Sequence, residues 1–421
     1  MRELGNGRLG PVVAGVALAA SLLASASAFG QGGRADAEER EAAARASTVD
    51  AQTGRTLNEA IELLNADDHA GAAQKIATLR LDRLSPYERG RVEQILFNIA
   101  LSQERYEETR GHLRQAIDSG GLNAQEIDQA KYQSAQLYIY EGKWREGAAA
   151  LEEWLPTALN PNSAAYYFLA AAYFEQDDIA RALPPAKKAV ELMDPAKPNE
   201  SWLSLLSALY LASEEYREAV PVLHQLVAAA PQKKGYWLQL SALYVQIEDY
   251  VNGLAMLQLA NHAGLVTEDA DVRRLADLLL FNGVPYRGAQ LLESAIERGT
   301  VTLDDKLYEK LANCWIAAGE LDESVAPLER AAEIAESGDT FVRLGELQVQ
   351  RADWRAAIAA VERGIEKSRL KDPGNAQLLI GVAHYNRKDY GAAVPFFERA
   401  RQWDKHRPIA DSYLQAIRAQ F

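Results

Sequence analysis

Residues 201–231 read SWLSLLSALYLASEEYREAVPVLHQLVAAAP, which contains two apolar helical patterns separated by a short polar turn. Positions i, i+3, i+4 and i+7 of the first pattern are occupied by Leu203, Leu206, Ser207 and Tyr210. Those four positions share one face of a helix. The small side chain of Ser207 lets a partner helix approach, and Tyr216 begins that partner. Pro231 closes the stretch because proline cannot occupy a helix interior, so these residues predict a packed pair of helices.

The same pattern recurs along the chain. Its second helix begins at an anchor residue, and the ten anchors are His69, Tyr106, Trp144, Ile179, Tyr216, Tyr250, Pro285 (or Tyr286), Leu321, Trp354 and Tyr390. Their spacing lies near the roughly 34 residues of the tetratricopeptide repeat. Helix pairs with this period stack side by side, which predicts an all-α, right-handed superhelical solenoid of about ten tetratricopeptide-like pairs.

We place the solenoid at residues 56–405. Residues 406–421 then read as a C-terminal capping helix, with Ile409, Tyr413 and Ile417 on one side. Residues 29–55 are rich in Gly, Ala, Glu and Arg and carry almost no large apolar residue, which predicts a flexible polar leader.

Prolines follow several anchors by five or six residues. They are Pro184, Pro185, Pro221, Pro327 and Pro395. Each proline removes a backbone donor, which predicts a slight bend in the second helix of its unit. A hinge used in binding is the alternative.

Residues 1–28 have the order of a secretory signal. Two arginines precede an apolar run over residues 12–23, and small side chains fill residues 24–28. We predict cleavage after Ala28, a periplasmic location and no membrane span in the mature chain. An uncleaved N-terminal anchor is the alternative. Lipid attachment needs a cysteine just after the apolar run, and the only cysteine is Cys314, so we do not predict a lipoprotein.

The composition favours protein partners. Asp and Glu number 59 against 45 Lys and Arg, and the resulting net charge of −14 is spread along the chain. Such a charge repels nucleic-acid backbones, and no basic cluster is present to hold an anionic membrane surface.

No motif points to catalysis. The six histidines are dispersed, and neither a phosphate-binding glycine loop nor a nucleophile elbow occurs. We therefore predict no catalytic, cofactor or metal site, and we expect Cys314 to be a buried thiol within an apolar helix. A hydrolase acting on a wall polymer is the least favoured alternative, because it would need two paired carboxylates in a cleft.

Stacked helix pairs offer a long concave face, lined by first-helix residues that point away from their own core. We predict that a peptide groove on this face is lined by Tyr132, Gln136, Tyr140, Tyr167, Ala171 and Phe174. A more polar continuation of the groove is lined by Glu309, Asn313, Val342 and Glu346. Aromatic side chains supply a large contact area at low entropic cost, which favours the aromatic part of this face as the peptide-binding groove. The alternative is that these aromatics pack against neighbouring repeats.

Four short segments carry a more specific signal. They are residues 199–202 (NESW), 236–241 (YWLQLS), 282–286 (NGVPY) and 370–375 (LKDPGN). They resemble the periplasmic tetratricopeptide proteins encoded beside TonB, ExbB and ExbD in proteobacteria. The resemblance implies an accessory role in energised uptake across the outer membrane, with components of that system as partners and no catalytic residues. A scaffold for envelope assembly or for cell-division and peptidoglycan enzymes is the alternative.

Overall fold

A computed structural model describes residues 48–420, which form 21 α-helices and two short 3-10 turns, with no strand in this range. The predicted signal at residues 1–28 and the leader up to residue 47 lie outside the described residues. The chain divides into two compact units, the first ending at Ala230 and the second beginning at Pro231. The predicted all-helical repeat fold is confirmed, and each unit is a series of helix pairs.

The first unit contains five helix pairs. In chain order they are α1 (Ala51–Asn65) with α2 (His69–Ala77), α3 (Pro86–Ser102) with α4 (Tyr106–Asp118), α5 (Ala124–Tyr140) with α6 (Trp144–Trp154), α7 (Ser163–Phe174) with α8 (Ile179–Glu191), and α9 (Glu200–Ala212) with α10 (Tyr216–Ala229). The 3-10 turns span Leu81–Arg83 and Leu155–Thr157.

The second unit contains five more pairs and one closing helix. The pairs are α11 (Lys234–Gln246) with α12 (Tyr250–His262), α13 (Asp269–Phe281) with α14 (Pro285–Glu297), α15 (Asp305–Ala318) with α16 (Leu321–Ile334), α17 (Asp339–Gln350) with α18 (Trp354–Lys367), and α19 (Pro373–Asn386) with α20 (Tyr390–Ala400). The closing helix α21 spans Arg407–Arg418. Every second helix begins at its anchor residue, and α14 begins at Pro285 and not at Tyr286.

The turn inside each pair has one repeated geometry. A residue with positive φ lies two positions before every anchor, and these residues are Asp67, Glu104, Gly142, Asp177, Glu214, Glu248, Gly283, Gly319, Ala352 and Lys388. The next residue donates its N–H to the carbonyl five positions back, as Asp249 does to Tyr244 at 2.8 Å. This left-handed closure ends the first helix and reverses the chain within a few residues.

Aspartates at the same turns start the second helices. Asp68, Asp178, Asp249, Asp353 and Asp389 each precede an anchor directly, and each side chain accepts a hydrogen bond from the backbone N–H three residues further on. A carboxylate at this position satisfies a donor that the first helical turn leaves without a partner. The turn therefore ends one helix and begins the next.

Small residues let the two helices of a pair approach. A Cβ atom placed on Gly381 of α19 would lie 2.8 Å from the ring of Phe397 on α20. At the equivalent place in an earlier pair, the hydroxyl of Ser241 donates to the carbonyl oxygen of Gly253 at 2.7 Å. The sequence assigns the same role to Ser207, a small residue that lets the partner helix approach. Ser207 is also buried.

The first helix begins earlier than the sequence suggests. We predicted a leader over residues 29–55, but α1 starts at Ala51. The carboxylate of Asp50 caps this helix, and its backbone N–H donates to Glu88 of α3 at 2.8 Å. Because Thr53 and Leu57 are buried against the array, residues 51–55 belong to the first helix pair.

The closing helix buries a different face from the one predicted. Ala410, Leu414 and Ile417 are buried in a cluster with Phe397, whereas Ile409 is 48% exposed. Tyr413 lies at the edge of this face, where its ring stacks on that of Phe397 at 4.8 Å. The predicted set therefore holds for Ile417 and Tyr413 and is wrong for Ile409, because the helix is rotated so that Ala410 meets the preceding pair.

The helix interiors contain the prolines noted in the sequence. Pro184 and Pro185 lie inside α8, Pro221 inside α10, Pro327 inside α16 and Pro395 inside α20. Each helix continues beyond its proline by at least one turn. A bend or a hinge at these positions stays a prediction.

Candidate functional site

The predicted groove residue Tyr132 stands against the indole of Trp154. Tyr132 lies on α5 and Trp154 is the last residue of α6, and their rings stack with centroids 4.7 Å apart and planes inclined by 19°. Trp154 is only 3% exposed. The pair therefore forms a rigid aromatic wall between the two helices of the third repeat.

The carboxylate of Asp128 holds this wall in place. Asp128 lies one helical turn before Tyr132 on α5, and its Oδ1 accepts a hydrogen bond from the indole nitrogen of Trp154 at 2.8 Å. The same oxygen accepts the backbone N–H of Leu159 at 3.2 Å. One side chain thus fixes both the tryptophan ring and the connection that leads to α7.

The hydroxyl of Tyr132 is buried. It lies beside Asn162, yet it makes no hydrogen bond of ordinary geometry within residues 48–420. Burial raises the pKa of Tyr132, and the neighbouring Tyr140 raises it further. The phenol therefore stays protonated at physiological pH.

A pocket of about 470 Å³ opens against this wall, and we call it the Tyr132 pocket. Its lining residues are Gln125, Asp128, Gln129, Tyr132, Trp154, Leu159, Asn160 and Asn162. Four of them carry carboxamides, which can donate and accept hydrogen bonds at the same time. The pocket thus combines an aromatic surface with groups that match the N–H and C=O of a peptide backbone.

Further aromatic contacts link the first helices of successive repeats. The ring of Tyr140 on α5 meets Phe168 on α7 edge-on at 6.3 Å, and Tyr167 on α7 lies 6.0 Å from Trp202 on α9. Burial raises the pKa of Tyr140 and of Tyr167. These contacts are the ones expected if the aromatics pack against neighbouring repeats, and only Tyr132 among the three lines the pocket.

The other predicted groove residues of the first unit contribute less surface. Gln136 and Ala171 are 8% and 2% exposed, so most of each side chain lies within the helix packing. Phe174 is half-buried at the end of α7. A groove role for these residues stays a prediction.

The four predicted groove residues of the second unit contact the next repeat. Glu309 on α15 accepts a hydrogen bond from the hydroxyl of Thr340 on α17 at 3.0 Å. The carboxamide oxygen of Asn313 on α15 accepts from Arg343 on α17.

The contacts continue from α17 to α19. Glu346 accepts from the side-chain nitrogen of Asn375 at 2.8 Å. Val342 is buried with Val361 and Ile380. The predicted polar groove residues Glu309, Asn313 and Glu346 therefore each already bind a side chain of the next repeat.

Trp154 and Asp128 were missed by the sequence reasoning. That reasoning considered first helices only, whereas Trp154 ends a second helix. A signal was present, because residues 155–162 (LPTALNPN) form a long connection with two prolines and two asparagines directly after the tryptophan. Such a connection can fold over a ring at the helix end.

Cys314 lies at 0% exposure in the core of the second unit. Burial raises the pKa of its thiol to about 11. Within residues 48–420, no three His, Cys, Asp or Glu side chains are grouped so that they could hold a metal ion. In the same range, every helix is too short or too polar to cross a bilayer.

Comparison with known families adds an independent observation. A sequence profile for the tetratricopeptide repeat matches residues 132–200 and 342–406. Both stretches are therefore similar to the tetratricopeptide repeat. The first matched stretch begins at Tyr132 and includes Trp154, so it contains the aromatic wall. Proteins built from such repeats generally act as non-catalytic scaffolds that bind other proteins through extended surfaces.

Solved structures of similar chains include a tetratricopeptide repeat protein from Parabacteroides merdae, which is 16% identical over 61% of this chain and 98% of its own, with a TM-score of 0.32. YrrB, described as a tetratricopeptide protein with an unusual peptide-binding site, is 17% identical over 41% of this chain and 82% of its own, with a TM-score of 0.33. MamA from Desulfovibrio magneticus is 15% identical over 41% of this chain and 97% of its own, with a TM-score of 0.33. No curated protein matches the chain.

Proposed function

We propose that this chain is a periplasmic scaffold that binds protein partners and assists TonB-dependent energy transduction and outer-membrane uptake. The scaffold role is the general one of tetratricopeptide repeats. The observation that carries a binding role for this chain is the Tyr132 pocket, where a fixed aromatic pair stands beside four carboxamides.

A short extended peptide fits the chemistry of this pocket. Its volume of about 470 Å³ falls within the range of typical ligand sites. An apolar side chain of the peptide would contact the exposed edge of Tyr132, and Gln125, Gln129 and Asn160 would bind the peptide backbone. Because Asp128 already holds Trp154, the wall needs little ordering when a ligand binds.

The periplasmic and TonB parts of the proposal rest on the sequence. Residues 1–28 have the order of a secretory signal, and residues 199–202, 236–241, 282–286 and 370–375 resemble the proteins encoded beside TonB, ExbB and ExbD. Accessory proteins of a membrane-energised system need a surface for partners and no catalytic group of their own.

Crosslinking in the native cells tests the partners. The tagged chain would be crosslinked, purified and analysed by mass spectrometry, and we expect TonB, ExbB or ExbD among the captured proteins. Recovery of envelope-assembly or division enzymes alone would replace the TonB assignment with the alternative scaffold. Turnover of a purified wall polymer would contradict a scaffold role altogether.

Substitution in the pocket tests the site. The variant Gln129→Ala with Asn160→Ala removes two carboxamides without touching the buried rings, and we expect it to lose most of the crosslinked partner. The matched control, Gln232→Ala with Gln239→Ala, removes two exposed carboxamides in the second unit and should capture as much partner as the wild type. Equal capture by both double variants would show that the Tyr132 pocket is not the binding site.

A further inference from the structure

Trp154 also lines a second cavity, of about 320 Å³, which we call the Arg114 cavity. Most of its lining comes from the second helices α4 and α6, so it is separate from the first-helix surface where we predicted the groove. Its apolar lining includes Leu113 and Trp154, which are 2% and 3% exposed.

The charged lining of the Arg114 cavity is cationic. Arg110, Arg114 and Lys131 line it, against a single carboxylate from Glu153. This is unusual in a chain with a net charge of −14. A small concave site with low-dielectric walls concentrates the field of such charges, so the cavity attracts anions.

The cations differ in whether they are already paired. Arg110 is 8% exposed, forms an ion pair with Glu141 and places its guanidinium 4.2 Å from the centre of the Tyr138 ring. Its charge is therefore compensated within the fold.

Arg114 and Lys131 are exposed, and within residues 48–420 neither forms an ion pair. These two side chains can bind a carboxylate without first breaking another contact. Because these two cations are exposed and have no internal partner, a ligand can pair with them without the free-energy cost of breaking a buried ion pair.

We infer that the Arg114 cavity binds an acidic peptide segment of a partner protein, with carboxylates at Arg114 and Lys131 and an apolar side chain against Leu113 and Trp154. This inference rests on the proposed scaffold function, since it names the chemistry of one partner. A nucleic acid is disfavoured because the rest of the chain is strongly acidic. The apolar lining beside the cations matches an acidic segment that also carries Leu or Phe.

Titration calorimetry with two synthetic peptides tests the inference. The probe is an acetylated and amidated peptide of sequence Glu-Leu-Glu-Phe-Glu, and its counterpart replaces each Glu with Lys. We expect heat of binding from the acidic peptide alone. The double variant Arg114→Gln with Lys131→Gln should weaken its Kd by about tenfold or more.

The matched control is Arg274→Gln with Lys306→Gln, which removes the same charge from exposed side chains of the second unit. It should leave the Kd within about twofold of the wild type. Equal weakening by both double variants, or equal binding of the lysine peptide, would overturn the inference. So would a short oligonucleotide or an anionic vesicle that bound with the same dependence on Arg114 and Lys131.

The two proposals fail in different ways. If native crosslinking captures partners through the Tyr132 pocket while the acidic peptide gives no heat, the Arg114 cavity is not a peptide site and the scaffold function stands. If the acidic peptide binds as expected while no partner is captured in cells, the cavity is supported and the scaffold function is contradicted.

Discussion

The indole of Trp154 is held between Tyr132, on which it stacks at 4.7 Å, and Asp128, to which it donates a hydrogen bond at 2.8 Å. The ring comes from the end of a second helix, and both of its partners come from the first helix of the same repeat. This arrangement separates two cavities that share Trp154 as a wall, one rich in carboxamides and one rich in cations. The third repeat therefore contributes to both of the binding sites proposed for this chain, and α4 of the second repeat completes the cationic one.

Replacement of Asp128 should destabilise the first unit. Asp128→Ala leaves the buried indole N–H of Trp154 and the backbone N–H of Leu159 without their acceptor, which we expect to cost about 2 kcal/mol in the free energy of unfolding. Urea unfolding followed by circular dichroism measures this. Asp118→Ala removes an exposed carboxylate of the same unit and should change the free energy by less than about 0.5 kcal/mol. An unchanged unfolding midpoint for Asp128→Ala would refute the positioning role.

Two glycine substitutions, one in a left-handed turn and one inside a helix, should have opposite effects on the free energy of unfolding. Gly142 has a φ of 72°, so Gly142→Ala should destabilise the chain by about 1 kcal/mol. Gly111 lies inside α4, and a Cβ atom added there would meet no other atom within 4 Å, so Gly111→Ala should stabilise the chain by about 0.5–1 kcal/mol through helix propensity. Urea unfolding measures the free energy of unfolding of both variants. A neutral or stabilising effect of Gly142→Ala would mean that the turn is not closed as described.

Asp372 should make stability depend on pH below about 4. Burial alone would raise its pKa, but hydrogen bonds from Lys405, the N–H of Asn375 and His406 outweigh that effect and lower the pKa from 3.8 to about 2. A carboxylate with a lowered folded-state pKa stabilises fully above its unfolded value and loses that contribution as the pH falls through the folded value.

The variant Asp372→Asn isolates this contribution. It keeps the helix cap and removes the charge, and we expect it to be less stable than the wild type by about 1 kcal/mol at pH 6, after allowing for solvent screening. The difference should shrink steadily between pH 4 and about pH 2 in urea titrations. A difference that is constant across this range would rule out titration of Asp372 as its cause.

Cys314 should be inert in the folded chain. Its side chain is fully buried and its pKa is raised from 9.0 to about 11, which lowers the thiolate fraction about a hundredfold near neutral pH. Labelling with a thiol reagent at pH 8 should be at least that much slower in the native chain than in guanidinium chloride, with Cys314→Ser as the baseline. Labelling at the same rate in both conditions would contradict the burial of this helix.

The groove shows where sequence reasoning reached its limit. An aromatic at an outward first-helix position, such as Tyr132 or Tyr167, satisfies the same pattern whether it binds a ligand or packs on the next repeat. The neighbours decide between these roles, and they are different, because Tyr167 meets Trp202 whereas Tyr132 borders a pocket. The polar residue Glu309 likewise pairs with Thr340, a contact set by the register between two repeats.

The sequence by itself determined the helix pairs and the residues at which the second helices begin. These features follow from local physics, because helical periodicity, turn-forming residues and caps act within about ten residues of one another. Only the tertiary structure decided that residues 155–162 close over α5, that Trp154 is shared by two cavities, and that the closing helix buries Ala410 and not Ile409. Each of these depends on how one helix is rotated and spaced against another, and packing between distant residues sets that geometry.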